Sequence, residues 1–325
     1  MVIITGGAGF IGSAFIWKLN QEGIKDIVIV DALSHSEKWK NLIGLHYSDY
    51  IHKDDFFELI ANRQGLQDAK AVIHMGACSN TTEQDMDYLM HNNYRYTQVL
   101  AEWCLSHDIY FMYASSAATY GMGDNGFSDD EMAIPYLKPL NRYGYSKHFF
   151  DLYVLRQKLQ DRIVGLKFFN VFGPNEYHKG MMQSMICKGV DQIKKEKQLL
   201  LFKSYHPQYA HGEQKRDFIY IKDCVNQMFW LYQNPHIKGI FNIGTGQASS
   251  WNQLANALFS ALKLPPNIHY IEMPDSLKAN YQYFTQANMD KLSSVGYPLN
   301  PFPLEDAITD YVHSYLAKSL YLSSL

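Results

Sequence analysis

The sequence of 325 residues holds only four cysteines, Cys78, Cys104, Cys187 and Cys224, and no two of them form a C-x-x-C pair. That scatter argues against a zinc site or a disulfide framework and fits reduced thiols in a cytosolic protein. No metal is expected. There is no run of about 18 apolar residues, so no membrane span is expected. There is no basic excess either: 29 Lys and Arg stand against 32 Asp and Glu, a net charge of −3. Nucleic acid and anionic membrane are therefore not expected as partners. The opening Met1-Val2-Ile3-Ile4-Thr5-Gly6 has no basic segment or cleavage site and reads as a strand, so a cytoplasmic location is expected. Internal repeats, low-complexity tracts and flexible linkers are absent from the sequence.

What is present suits a packed α/β enzyme. Hydrophobic residues make up 47% and charged residues 19%, enough for a large core. Short β-branched or aromatic runs at Val2–Thr5, Ile27–Val30, Ala71–His74, Ile109–Ala114 and Ile163–Phe168 predict buried strands. Helix-period segments lie between them. In the first, Phe10, Ala14, Phe15 and Leu19 share a face, and Gly23 follows where a C-cap belongs. This alternation predicts a doubly wound parallel sheet of the Rossmann kind. Residues 1–170 are assigned to dinucleotide binding. Residues 171–325 are assigned mainly to a smaller, interleaved substrate domain, with Phe241–Gly244 rejoining the main sheet. A helix is expected near Met182–Lys195, and the polar loop Tyr205–Gln214 is the segment expected to move most.

The Gly6-Gly7-Ala8-Gly9-Phe10-Ile11-Gly12 run follows the first strand and opens the first helix. Gly6 permits the tight turn, Gly9 lets backbone approach a pyrophosphate, and Gly12 lets helix and strand pack closely, so the phosphates meet free N–H groups. Asp31 ends the second strand 19 residues beyond Gly12. It would bind the adenosine ribose and repel a 2′-phosphate, which favours NAD. Lys38 and Lys53, in the loops after the second and third strands, could instead reach a 2′-phosphate. Met75-Gly76-Ala77-Cys78-Ser79 follows the fourth strand, and its small residues would let a cofactor lie close. Asn92 follows in an amphipathic helix.

Tyr143-Gly144-Tyr145-Ser146-Lys147 places Tyr143 and Lys147 on one helix face. An ammonium beside the phenol would lower its pKa, so that Tyr143 could exchange a proton with a sugar hydroxyl while hydride moves to or from nicotinamide. Tyr145 is a decoy, because its i+4 residue is Phe149. Ser116, at the end of the strand Ile109–Ala114, can hydrogen-bond the reacting oxygen. It is followed by Ala117-Ala118-Thr119, not by the Asp-Glu pair of sugar-nucleotide dehydratases, which argues against dehydration. A non-catalytic dinucleotide sensor would have no use for Ser116, Tyr143 and Lys147.

With these motifs the sequence resembles the ADP-L-glycero-D-manno-heptose 6-epimerases of bacterial lipopolysaccharide core biosynthesis, a nucleotide-sugar epimerase family of the extended short-chain dehydrogenase/reductase type. Nearly the whole chain takes part. The resemblance is carried by the glycine run, Gly76-Ala77-Cys78-Ser79, Asn92-Asn93-Tyr94, Ala114–Gly121, Tyr143–Lys147, Phe169–Pro174, His178-Lys179-Gly180, Lys215–Phe218 and Tyr281-Gln282. It implies that hydride leaves C6 of an ADP-heptose, the ketone turns, and hydride returns to the opposite face. It implies Tyr143 as one base and Lys179 as the other; Lys179 by itself reads as a phosphate-binding loop lysine. Asn170, Arg216, Tyr281 and the segment from Phe202 match substrate contacts, an arginine fork suiting a diphosphate. Met181 and Lys188 fall at substrate positions where the family usually has serine and histidine, and the segment after Phe202 is longer. The remaining cofactor contacts implied are Ala32 and Val171. The resemblance favours NADP over NAD, through Lys38 and Lys53, and a homo-oligomer, typically a pentamer. Another nucleotide sugar remains the alternative substrate.

Overall fold

The computed structural model describes residues 1–62, 66, 68–278 and 281–323. Apolar runs become strands buried on both faces: β1 (Val2–Thr5), β2 (Ile27–Asp31), β4 (Ala71–His74), β6 (Val164–Phe168) and β10 (Gly239–Ile243). Their unbroken hydrophobicity is what a parallel sheet covered by helices demands. β3 (Asp49–His52) has no apolar run, because it is a partly exposed edge strand. β5 (Tyr110–Ser116) runs two residues further than its apolar segment, so Ser115 and Ser116 belong to the strand.

These seven strands form one sheet in the order β10-β6-β5-β4-β1-β2-β3, with every neighbouring pair parallel. The chain winds outward from β1 to β3, then returns to β4 on the other side of β1. The carboxyl ends of β1 and β4 therefore flank the crevice where such sheets bind ligands. Phe241–Ile243 are the last three residues of β10, parallel to β6, and Gly244 lies just beyond it. The edge N–H groups of β10 are met by carboxylates, Asp129 on Asn242 at 2.7 Å and Glu131 on Ile240 at 3.1 Å. That blunts an edge that could otherwise pair with another chain.

Helices flank the sheet: α1 (Phe10–Gln21), α2 (Lys53–Ala61), α3 (Met86–Leu89), α4 (Tyr96–Ser106) and α5 (Arg142–Arg156). Gly23 sits at φ +78° just beyond α1 and supplies the left-handed stop its position predicts. Residues Met90–Arg95, between α3 and α4, form a π-helical turn.

Beyond β6 the chain builds smaller pieces: β7 (Asn170–Phe172), α6 (Met185–Glu196), β8 (Leu199–Phe202), β9 (Lys215–Tyr220), α7 (Ile221–Gln233), β11 (Ala248–Ser250), α8 (Trp251–Ala261) and β12 (Ile268–Ile271). β9 pairs with β7 and β11, and β8 with β12. α6 starts three residues later than its apolar period suggests, because Tyr177–Met182 form a kinked 3-10 turn with Gly180 at φ +52°, and Ser184 then caps α6. α7 packs on α1 and closes one side of the sheet. The loop from Ser204 to Gln214 is pinned: Ser204 N–H donates to His211 Nδ1 at 3.0 Å, and Asn252 donates to Glu213 at 2.6 Å.

Candidate active site

A cleft of about 1330 Å³ opens at the carboxyl edge of the sheet, over the β1/β4 crevice. Its floor is backbone. Gly6 has φ +65°, and a Cβ there would lie 2.6 Å from the Gly76 nitrogen; a Cβ on Gly12 would lie 2.2 Å from the Gly6 carbonyl oxygen. Only glycine lets β1, β4 and α1 meet this closely. Gly9 caps α1 without a side chain, leaving the first N–H groups of the helix, at Phe10, Ile11 and Gly12, facing the cleft. This cradle fits a dinucleotide pyrophosphate.

Asp31 ends β2 beside this cradle. Its carboxylate accepts from Ala8 N–H at 2.9 Å, Ala32 N–H at 2.7 Å and Lys38 Nζ at 2.6 Å. Across the crevice, Asn93 clamps both backbone groups of Cys78, accepting from its N–H at 2.8 Å and donating to its carbonyl at 3.1 Å. Asn93 also donates to Ser146 Oγ at 3.0 Å, tying this loop to α5. Asn92 lies off the cleft and donates to Asn93 at 3.2 Å. The π-helical turn decides which of the two adjacent amides points inward, and the sequence carries no signal for it.

Tyr143 and Lys147 lie one turn apart on α5, and both line the cleft with Ser116. Asn141 starts that helix by accepting from Gly144 N–H at 2.7 Å. Lys147 is buried, its ammonium donates to the Ala114 carbonyl at 2.8 Å, and burial pushes its pKa down to about 8 against the pull of Asp151. Burial pushes the Tyr143 phenol up, and a hydrogen bond with the Ser116 hydroxyl draws it down. Tyr145 faces outward and is exposed, as a decoy should be. One further turn along α5, Asp151 accepts from Tyr113 Oη at 2.9 Å, Ser115 Oγ at 2.7 Å and Lys167 Nζ at 2.6 Å, all fully buried or nearly so. Nothing in the sequence linked α5 to β5 and β6 in this way.

The opposite wall comes from residues 170–218. Asn170 and Val171 at β7, Lys179 on the kinked turn, Lys188 on α6 and Phe202 at the end of β8 all line the cleft, as does Tyr281. The Lys179 ammonium lies 5.4 Å from the Phe10 ring centre; burial lowers its pKa and Glu176 opposes that. Arg216 on β9 is buried directly behind this wall. Its guanidinium sits 5.3 Å from the Tyr281 ring and 6.0 Å from the Trp251 ring, and donates to the carbonyls of Lys215 and Gln282. No carboxylate pairs with it among the described residues.

Of the residues the sequence singles out, the structure brings Gly6, Gly9, Phe10, Ile11, Gly12, Asp31, Lys38, Met75, Gly76, Ala77, Ser79, Ser116, Tyr143, Lys147, Asn170, Val171, Lys179, Lys188, Phe202 and Tyr281 onto one lining. Ala32, Cys78, Asn92 and Arg216 lie behind it. Lys53 is half-buried at the start of α2 beside Asp54, and Met181 is 86% exposed at the tip of its turn. His178 and Trp251 line the cleft without having been singled out as functional.

The chain matches the NAD dependent epimerase/dehydratase family over residues 2–244. An ADP-L-glycero-D-manno-heptose-6-epimerase of Nitratidesulfovibrio vulgaris (strain DP4) is 56% identical over 317 residues, 98% of each chain. A protein of the same name from Fusobacterium nucleatum is 49% identical over 327 residues, 98% of each chain. The crystal structure of the Helicobacter pylori ADP-L-glycero-D-manno-heptose-6-epimerase superposes with a TM-score of 0.75 at 28% identity, covering 96% of this chain and 94% of that one. With the glycine cradle, Tyr143 and Lys147 at one cleft, these likenesses establish that the chain belongs to the ADP-L-glycero-D-manno-heptose-6-epimerase family, within the NAD dependent epimerase/dehydratase family.

Proposed function

We propose that the protein interconverts ADP-D-glycero-D-manno-heptose and ADP-L-glycero-D-manno-heptose by transient oxidation at C6, using NADP that stays bound. The observation that carries this reading is the placement of two proton-handling side chains, Tyr143 on α5 and Lys179 on the kinked turn, on different walls of one cleft. A second group on the opposite wall lets the C6 hydroxyl exchange its proton in either presentation, which a simple dehydrogenase does not need.

Bound in the glycine cradle, the nicotinamide supplies reversible hydride transfer. Ser116 hydrogen-bonds the reacting oxygen, and Tyr143 takes or gives its proton on one face. Lys179 does so on the other. Lys147 orients the nicotinamide ribose. Arg216, paired with no acid among the described residues and held between Tyr281 and Trp251, offers its charge to the sugar-nucleotide diphosphate. NADP is favoured because Lys38 neutralises Asp31, the charge that would otherwise repel a 2′-phosphate. Residues 171–325 serve mainly the substrate. A cytoplasmic location and a homo-oligomer, a pentamer by resemblance, belong to the same proposal.

Another nucleotide sugar is the second reading. Its support is Met181, exposed beside the cleft, with Lys188 Nζ donating to its carbonyl at 3.3 Å. Incubation with ADP-D-glycero-D-manno-heptose, without added cofactor and followed by NMR, tests the proposal. A mixture of both C6 epimers is expected. No conversion by protein verified to hold cofactor sinks the substrate assignment and favours the second reading.

A further inference from the structure

Ser116 is gripped through its backbone as well as its side chain. Its hydroxyl oxygen accepts from Ala118 N–H at 3.1 Å, and its carbonyl accepts from Thr119 Oγ1 at 2.8 Å. Thr119 has no exposed surface, and its hydroxyl lies 2.7 Å from the Lys167 ammonium. An ammonium can only donate, so the threonine oxygen accepts from Lys167 and its single proton goes to Ser116. Lys167 stands on β6, where its neighbour across the ladder is Ser115. It too is wholly buried, and a buried charge needs partners on several sides. Besides Thr119 it has Asp151 Oδ2 at 2.6 Å and the face of the Tyr120 ring, whose centre is 5.1 Å away. Asp151 lies on α5, one turn beyond Lys147 and two beyond Tyr143, and it also accepts from Ser115 Oγ at 2.7 Å. An unbroken run of bonds therefore leads from the helix bearing Tyr143, through Lys167 and Thr119, to the Ser116 carbonyl.

We infer that Thr119 and Lys167 are positioning residues for Ser116: they tie the strand end that carries it to the helix that carries Tyr143. The inference rests on the reading of Ser116 as the group that hydrogen-bonds the reacting oxygen. The Lys167–Asp151 pair by itself would link only β6 to α5. Thr119 extends that link to the peptide of Ser116, three residues back along the chain. A threonine that merely closed the turn at Ala117–Tyr120 would need no ammonium behind it, and a buried lysine is a costly way to fill space. The two reacting groups sit on separate elements, Ser116 at the end of β5 and Tyr143 near the start of α5. Their spacing is therefore set by whatever joins those elements, and misplacement of a reacting group by about 1 Å can cost about 100-fold in rate.

Steady-state C6 epimerisation by the wild type, Ser116→Ala, Thr119→Val, Thr119→Ser and the double variant Ser116→Ala/Thr119→Val decides the matter. Thr119→Val removes the hydroxyl and leaves Lys167 paired with Asp151. Its kcat should fall about 10- to 100-fold, with KM and bound cofactor close to wild type. Thr119→Ser keeps the hydroxyl and should recover most of that loss. The double variant should be no slower than Ser116→Ala alone, because Thr119 acts through Ser116. Wild-type kcat in Thr119→Val, a Thr119→Ser enzyme as slow as Thr119→Val, or losses that multiply in the double variant each overturn the inference while leaving Ser116 in its role. Full activity in Ser116→Ala removes that role, and the inference with it. Thermal melting checks that Thr119→Val is folded. If it is not, Thr119→Ala takes its place in the same cycle, with the same outcomes expected.

Discussion

The Lys38 ammonium lies 2.6 Å from the Asp31 carboxylate at the end of β2, where the second strand meets the glycine run. The same carboxylate is saturated by the N–H groups of Ala8 and Ala32. An acid this well neutralised is a poor guard against a 2′-phosphate, and on the proposed use of NADP Lys38 would be the group that meets it. Lys38→Ala should weaken NADPH binding about 10- to 100-fold, the range of one charge-assisted hydrogen bond, and weaken NADH binding much less. Fluorescence titration of both reduced cofactors reads the difference. Lys53→Ala, at a half-buried lysine paired with Asp54, should give the smaller effect.

Tyr143→Phe removes the proton that the phenol exchanges but keeps the ring in its place. Epimerisation should fall by about 10²- to 10⁴-fold, the usual scale for losing a general acid–base. Cofactor content of the purified variant, measured by absorbance after denaturation, should match that of the wild type. Full activity in this variant would end the assignment.

His74 should make the protein sensitive to mild acid. Thr97 Oγ1 spends its proton on the Asn93 carbonyl at 2.6 Å, so it must accept from His74 Nε2–H at 2.9 Å, leaving Nδ1 to accept from Thr5 at 2.6 Å. The imidazole is therefore neutral, and burial lowers its pKa from 6.5 to about 3. A depressed histidine contributes in full above the unfolded value and loses that contribution as pH falls towards the folded one. Unfolding free energy should drop by about 1.4 kcal/mol per pH unit from this group between about pH 6 and pH 4. Urea melts of the wild type and His74→Gln across that range should show the flatter slope in the variant.

Asp151 and Lys167 are both wholly buried and 2.6 Å apart. Asp151→Asn or Lys167→Met alone strands one charge in the interior and should cost about 3–5 kcal/mol. The double variant should cost clearly less than the sum. A denaturant-based double-mutant cycle measures the coupling, and strictly additive losses would show that the pair does not act as a unit.

Much of this was legible because parallel sheets advertise themselves. β1, β2, β4 and β6 must be apolar on both faces, so each stands out as a continuous run, and helix face spacing fills the gaps. β3 was hidden for the converse reason: an edge strand half in water needs no such run. The glycine motif was readable because sterics leave no other residue at Gly6 and Gly12. Asn93 was not, because two adjacent amides look alike until a π-helical turn selects one.

The sequence by itself determined the parallel α/β fold, the glycine cradle and the candidate trio Ser116, Tyr143 and Lys147, since each depends on local spacing and on residue types with few substitutes. Only the tertiary structure decided which groups act on which. Lys147 turns to the Ala114 carbonyl, Asp151 ties α5 to β5 and β6, and Glu176 gathers Gly173, Ser184 and Tyr311 around the turn bearing Lys179. Burial and direction set those contacts, and both arise when distant segments meet.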